Sequence, residues 1–343
     1  MSQPCFHHSF EAQVLADAGR SAVAIEFCDE IVTYRDLDAR ANRLANYLIE
    51  LRAGPEVAVG VAVPRSPDLL VCLLAVAKAG AAYVPLDAGL PEERRLAMIE
   101  NSGLALLLVT GNVSEVMPRP GFVIVDLYAA GEEIGRQSDK RPKVPVCDRN
   151  LAYLLYTSGS TGEPKGTAME HSALANLIAW HGAAHKAACG LRTLQFCSIG
   201  FDFSFHEIFS TLCYGGTLIV PTEAQREDPF LLARLIRDRR VEKLFLPVSA
   251  LLQWASVVDE RSFPDSLRHV ITTGEPLHIT PPLREIFRRT GAQLHNHFGA
   301  TEFQDAATLS LSGDPGQWPL QVPIGHPLGY RSPKSTSTVP TSD

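Results

Sequence analysis

The sequence predicts an α/β fold in which helices cover both faces of mainly parallel sheets. Three observations carry that prediction. Short β-rich runs recur along the chain, several of them too continuously apolar to keep a face in water. Helical patterns with recognisable start and stop signals lie between them. The 343 residues suffice for about two domains at roughly 150 residues each.

The strands are read over residues 57–63, 104–110, 122–126, 152–157, 217–220, 243–246, 269–273 and 293–298. Thr33, with Asp36 three residues on, resembles a capping box, and Leu37, Ala41, Leu44 and Leu48 follow on one stripe of the helix it opens. Ser66 and Pro67 open a second helix that Gly80 stops. Residues 131–148 are polar and contain proline, a surface connection into the strand at 152. Residues 331–343, rich in Ser, Thr and Pro, read as a disordered tail. There is no internal repeat.

Composition removes several function classes. With 45% hydrophobic and 20% charged residues the chain can bury a core. The formal charge of −7 and the lack of any Lys/Arg block argue against a nucleic-acid partner. No run approaches the ~18 apolar residues of a membrane span, and residues 1–10 lack the pattern of a secretion signal. Seven scattered cysteines without a Cys-x-x-Cys pair point to a reducing cytoplasm rather than a disulfide framework.

Chemistry concentrates in the segment from Leu151 to Gly166, LAYLLYTSGSTGEPKG. A buried strand runs into a loop with Gly159, Gly162 and Gly166, four hydroxyl residues (Thr157, Ser158, Ser160 and Thr161), and Lys165. Glycines let backbone amides close on an anion, hydroxyls donate to its oxygens, and the lysine supplies positive charge, so a polyphosphate is the expected guest. The Walker spacing is absent, because two residues separate Gly162 from Lys165 and a glycine follows the lysine.

This segment resembles the phosphate-binding motif of the adenylate-forming superfamily, and more narrowly that of the adenylation domains of nonribosomal peptide synthetases. Further stretches match the family's motifs in order: Tyr34-Arg-Asp-Leu37, residues 77–87 (AKAGAAYVPLD), Phe201-Asp-Phe-Ser204, and residues 296–302 (NHFGATE). The resemblance covers residues 8–328. It implies two stacked αβαβα subdomains, about 56–185 for the first and about 10–55 plus 190–328 for the second. It also implies an amino-acid-adenylating ligase that joins a carboxylate to the α-phosphate of ATP, releases pyrophosphate and passes the acyl group to the thiol of a peptidyl carrier protein. Lys165 and Glu302 are then the catalytic pair, and Glu302 with Thr157 holds Mg2+. ATP lies among residues 157–162 (Thr157, Ser158, Gly159, Ser160, Thr161 and Gly162), Gly274-Glu275-Pro276, and Asn296, His297, Phe298, Gly299 and Thr301. Phe298 stands where the family usually has Tyr, and Ala300 where it has Pro.

By the same matching, Asp202 pairs with the α-ammonium group of an amino acid; a second reading makes it the N-cap of a helix over 205–213. Phe203, His206, Phe245, Ile271, Thr273, His297, Asp305 and Ala306 form the side-chain pocket. Four of these are polar or ionisable, which favours a polar substrate side chain; core or supporting roles for His206 and His297 stay open. His295-x-His297 and His181-x-x-x-His185 have ligand spacings, but the latter pair reads as lying on an exposed helix, which argues against a dedicated transition-metal site. The family's terminal barrel, ribose-binding aspartate, hinge and C-terminal lid with its lysine find no counterpart after residue 329. The expectation is therefore an adenylation core with impaired turnover, the alternatives being a remnant that only binds ATP and amino acid, or an acyl/aryl-CoA-ligase-like member.

Overall fold

The computed structural model describes residues 5–16, 22–87, 89–111, 123–158 and 164–329. The tail read at 331–343 lies outside them.

Helix α1 (Phe6–Leu15) precedes the hairpin of β1 (Val23–Phe27) and β2 (Glu30–Thr33) and then α2 (Tyr34–Glu50). The expected cap is in place: Thr33 accepts from the Asp36 backbone N–H at 3.1 Å, while its hydroxyl donates to the Asp36 carboxylate. There follow β3 (Ala58–Ala62), α3 (Pro67–Lys78), β4 (Ala82–Pro85), α4 (Glu92–Ser102), β5 (Leu106–Val109), β6 (Val123–Asp126), α5 (Gly131–Gly135), β7 (Leu151–Ser158), β8 (Pro164–Glu170) and α6 (His171–Ala184). Ser66 caps α3 with Pro67 at its first position, and every residue of that helix except Asp68 is buried, so it runs through the interior rather than over the surface.

The second half continues with β9 (Arg192–Leu194), α7 (Phe203–Leu212), β10 (Thr217–Val220), α8 (Glu223–Glu227), α9 (Pro229–Asp238), β11 (Lys243–Pro247), α10 (Val248–Val257), β12 (His269–Thr273), α11 (Pro281–Thr290), β13 (Gln293–Ala300), β14 (Gln304–Leu311) and the short edge β15 (His326–Pro327).

Among the described residues these strands form two sheets. One has six strands in the order β6-β5-β3-β4-β7-β8, and the other nine in the order β15-β14-β13-β12-β11-β9-β10-β1-β2. The six-stranded sheet is parallel except for β7–β8. The nine-stranded sheet is parallel from β13 to β1, with antiparallel pairs at both ends. Consecutive strands joined by helices produce this parallel order, as the alternating pattern predicts.

One apolar cluster crosses between the sheets, bringing Tyr83, Leu108 and Tyr153 of the first together with Ile25 and Leu218 of the second around α2 and α3. A second cluster packs α9, α10 and α11 on the nine-stranded sheet. Polar contacts also cross: Ser198 donates to Asp87 at 3.0 Å, and the Gln304 amide donates to the Tyr153 hydroxyl, tying the β13–β14 turn to the strand that enters the glycine-rich segment.

Candidate active site

Parallel strands β11, β12 and β13 end at the same edge, where open α/β sheets place their ligand crevices. Gly274 turns the chain out of β12 at φ +98°, a backbone conformation that disfavours any side chain. Beyond it, Gly274, Glu275 and Pro276 face Asn296 and Phe298 across a cleft of about 540 Å3. The Phe298 ring stands 44% exposed. Asn296 donates its amide N–H to the Pro323 carbonyl at 2.9 Å, which leaves its own carbonyl oxygen as an acceptor. Residues 321–324, the third wall, went unrecognised as site residues in the sequence: they are irregular and carry no periodic signal.

A smaller cavity of about 210 Å3 adjoins this cleft and shares Thr273, Gly274 and Gly299 with it. Asp202, Phe203, His206 and Asp305 line it. The helix behind it is Phe203–Leu212, two residues earlier than read, because Asp202 caps it by accepting from the Phe203 N–H at 2.8 Å. Burial, then the nearby charges of Asp305 and Glu302, push the Asp202 carboxyl up to about 6.

Asp305 receives two imidazoles on one oxygen: His206 Nδ1 lies 2.8 Å and His297 Nδ1 3.0 Å from its Oδ2. Burial alone would raise this carboxyl, but the two imidazoles outweigh burial and hold it below the usual carboxylate range. His206 Nε2 in turn meets His181 Nδ1 at 2.8 Å. One donor atom from each of His206, His297 and Asp305 lies within 4.8 Å of the others, a grouping different from either histidine pair noticed in the sequence.

The structure corrects the reading of α6. His181 is fully buried and His185 nearly so, because α6 turns the stripe His171, Leu174, Ile178 and His181 inward; neither lies on an exposed helix.

Among the predicted pocket residues, Phe245 and Ile271 are fully buried and pack with Phe203 as the floor, the Phe245 ring 5.1 Å from that of His206. His297 reaches the cavity through Asp305. Ala306 follows Asp305 on β14 but does not line the cavity.

On the other sheet, Thr157 pairs with Lys165 across β7 and β8, flanking residues 159–163. Gly159, Ser160, Thr161 and Gly162 lie outside the described residues, as does the side chain of Ser158. Lys165 and Glu302 are exposed, and Thr157 and Thr301 half-buried. Gly299 permits the close β13–β14 turn, since a Cβ there would sit 2.2 Å from the Gln304 carbonyl oxygen.

The family model described as AMP-binding enzyme matches residues 10–334. The chain belongs to the AMP-binding enzyme family. Within it the chain sides with peptide-synthetase adenylation modules. It is 36% identical over 328 residues to tyrocidine synthase 2 of Brevibacillus parabrevis, covering 94% of this chain and 9% of that one. It is 37% identical over 331 residues to phosphinothricin tripeptide synthetase PhsB of Streptomyces viridochromogenes, covering 93% of this chain and 27% of that one. The AMP-binding chain thus spans a small part of these relatives.

Two solved structures agree. The nonribosomal peptide synthetase FmoA3 in its alpha-methyl-L-serine-AMP bound form superposes with a TM-score of 0.83 at 25% identity, over 95% of this chain and 36% of that one. The N-terminal subdomain of Klebsiella oxytoca NpsA with 3-hydroxybenzoyl-AMSN gives 0.79 at 25% identity, over 95% and 81%. The AMP-binding chain thus has the fold of an N-terminal adenylation core. No described helix is long and apolar enough to cross a membrane.

Proposed function

We propose that the chain activates an α-amino acid as its aminoacyl-adenylate for nonribosomal peptide synthesis. The observation that carries this reading is the shared wall: the cavity lined by the Asp202 carboxylate adjoins the cleft beneath Phe298, and Thr273, Gly274 and Gly299 line both. Adenine stacks on Phe298 and donates its exocyclic amine to the Asn296 carbonyl oxygen, while the α-ammonium group answers Asp202. The amino-acid carboxylate is thereby held beside the α-phosphate. Its oxygen forms the new bond to the α-phosphorus as the bond from that phosphorus to the α,β-bridging oxygen breaks and pyrophosphate leaves with that oxygen, so alignment and charge neutralisation supply most of the catalysis. Lys165 supports the phosphate oxygens.

Thr157 and Glu302 offer a hydroxyl and a carboxylate, hard oxygen donors that suit Mg2+ and would hold it with the phosphates; the ion supplies further neutralisation of the leaving pyrophosphate. The acceptor is the thiol of a peptidyl carrier protein, in trans or within a parent synthetase. A solved relative, the NpsA-ThdA construction, is described as an artificially fused adenylation-PCP di-domain, and another is bound to AMPPNP.

Thermal shift and ATP–pyrophosphate exchange across the amino acids and their des-amino analogues test this reading. With ATP and Mg2+ present, amino acids should protect the fold and des-amino analogues should not, and Asp202→Ala should erase the difference. Protection by simple fatty or aryl acids would move the chain to the acyl/aryl-ligase branch.

A further inference from the structure

Three side chains from three elements meet behind the smaller cavity: His206 on α7, His297 on β13 and Asp305 on β14. All are buried, at 1%, 3% and 6% exposure. One donor atom from each lies within 4.8 Å of the other two, and Asp305 Oδ2 stands 2.8 Å from His206 Nδ1 and 3.0 Å from His297 Nδ1. Donors at about 2.0–2.1 Å around a tetrahedral zinc ion lie about 3.3 Å apart, so these two contacts need to open by only about half an ångström or less to admit one.

The hydrogen bonds within the trio use the lone pairs that a cation takes in their place. Asp305 has a further partner besides the two imidazoles, and coordination asks for one of its oxygens alone. Bound through Nδ1, a neutral imidazole moves its proton to Nε2, and one that carries both protons releases one to solvent. His206 Nε2 already stands 2.8 Å from His181 Nδ1, the far-side partner that ligating imidazoles keep.

A second observation points the same way. Among the described residues, His181 Nε2, His185 Nε2 and His297 Nε2 are buried with no hydrogen-bond partner. Their rings crowd the trio, with 4.8 Å between the centres of His181 and His206 and 5.7 Å between those of His185 and His297. Protein groups alone leave this cluster unsatisfied, the mark of a buried place for an ion or water.

We propose that His206, His297 and Asp305 form a site for a divalent transition-metal ion of the Zn2+ or Co2+ kind. Imidazole nitrogen suits such ions, whereas Mg2+ calls for oxygen donors. Three protein ligands leave a fourth position, and because His206 and Asp305 also line the cavity of about 210 Å3, water or a ligand's donor atom reaches it from there. The ground on which the sequence argues against a metal, an exposed His181 and His185, is gone, since the structure buries both.

Titration of the chain with Co2+ alone, without nucleotide or amino acid, tests the site apart from the adenylation reading. One equivalent should bind and give the visible absorption of a tetrahedral centre, and Zn2+, which favours that geometry, should displace it. His206→Gln and Asp305→Asn should abolish the band, whereas His181→Gln, which touches only the far side of His206, should weaken affinity by about 10- to 100-fold. His278→Gln, at an exposed histidine elsewhere, should change nothing. Melting curves check the fold of each variant. Should one not fold, X-ray absorption of the Zn2+-loaded wild type decides, a shell of imidazole and oxygen supporting the site and a shell containing sulfur overturning it. No tetrahedral band in the wild type, or a band that survives both His206→Gln and Asp305→Asn, would overturn it too, making the trio a hydrogen-bonded support and leaving the adenylation reading standing.

Discussion

The cleft beneath Phe298 and the cavity beside Asp202 meet along one strand, yet they are built on opposite principles. The cleft is open and walled largely by backbone turns, with Gly274, Pro276 and Pro323 setting its shape. The cavity is walled by ionisable groups, Asp202, His206 and Asp305, the last held by two imidazoles. A surface made of turns and one ring accepts a flat heterocycle regardless of its neighbours; a surface made of fixed charges discriminates. On the adenylation reading, the difference separates where the chain would hold ATP from where it would choose its amino acid.

Substitutions should separate the two regions, and the largest effect is expected at the cavity. Asp202→Ala should weaken amino-acid binding by about 30-fold or more, since it removes one partner of a buried charge pair, while ATP affinity measured by calorimetry changes little. If both affinities fell together, the regions would not be independent. Lys165→Ala should weaken ATP about tenfold, the effect of losing one charge-assisted contact, and spare any nucleotide-independent amino-acid binding.

Acidity should sharpen the same contrast. Because the Asp202 carboxyl of the empty site lies near 6, its charged form prevails above that pH and is lost below it. Amino-acid affinity should fall by up to about tenfold per pH unit below 6, and adenosine affinity should not follow. Phe298→Ala should cost about 1 kcal/mol of adenine affinity, the low end for a stacked base because the ring is already partly in water, with Phe298→Tyr neutral.

The smallest effect concerns the fold behind the cavity. Burial lowers His185 to about 3 and His269 to about 4, from 6.5 in the unfolded chain. Between those values the unfolded chain binds protons that the folded one refuses, so stability should decline as pH drops below 6.5. His185→Gln should make the melting temperature less sensitive to pH across that window.

Much of this arrangement is legible in the sequence where the signal is local. Thr33 and Ser66 announce their helices because a cap acts over three residues. Asp202, Thr273 and Asp305 fall into one cavity because ordered motifs locate them one by one. The β1–β2 hairpin is not legible in this way: its partner, Leu218 beside Ile25, lies far along the chain, and no local pattern encodes that pairing. The burial of α6 was present as a stripe, His171, Leu174, Ile178, His181, but counting histidine as polar hides it. Residues 321–324 wall the cleft through tertiary placement alone.

The pleat of β13 has a consequence for how such a protein can change. Asn296 and Phe298 wall the cleft, while His297 between them also reaches Asp305 of the adjoining cavity through Nδ1, so on the adenylation reading neighbouring codons serve different reactants. On that reading, a replacement at 297 would act first on the cavity through Asp305. An inserted or deleted residue would exchange the two faces and ruin both at once. On the adenylation reading, descent along this strand is therefore freer to vary in spelling than in length.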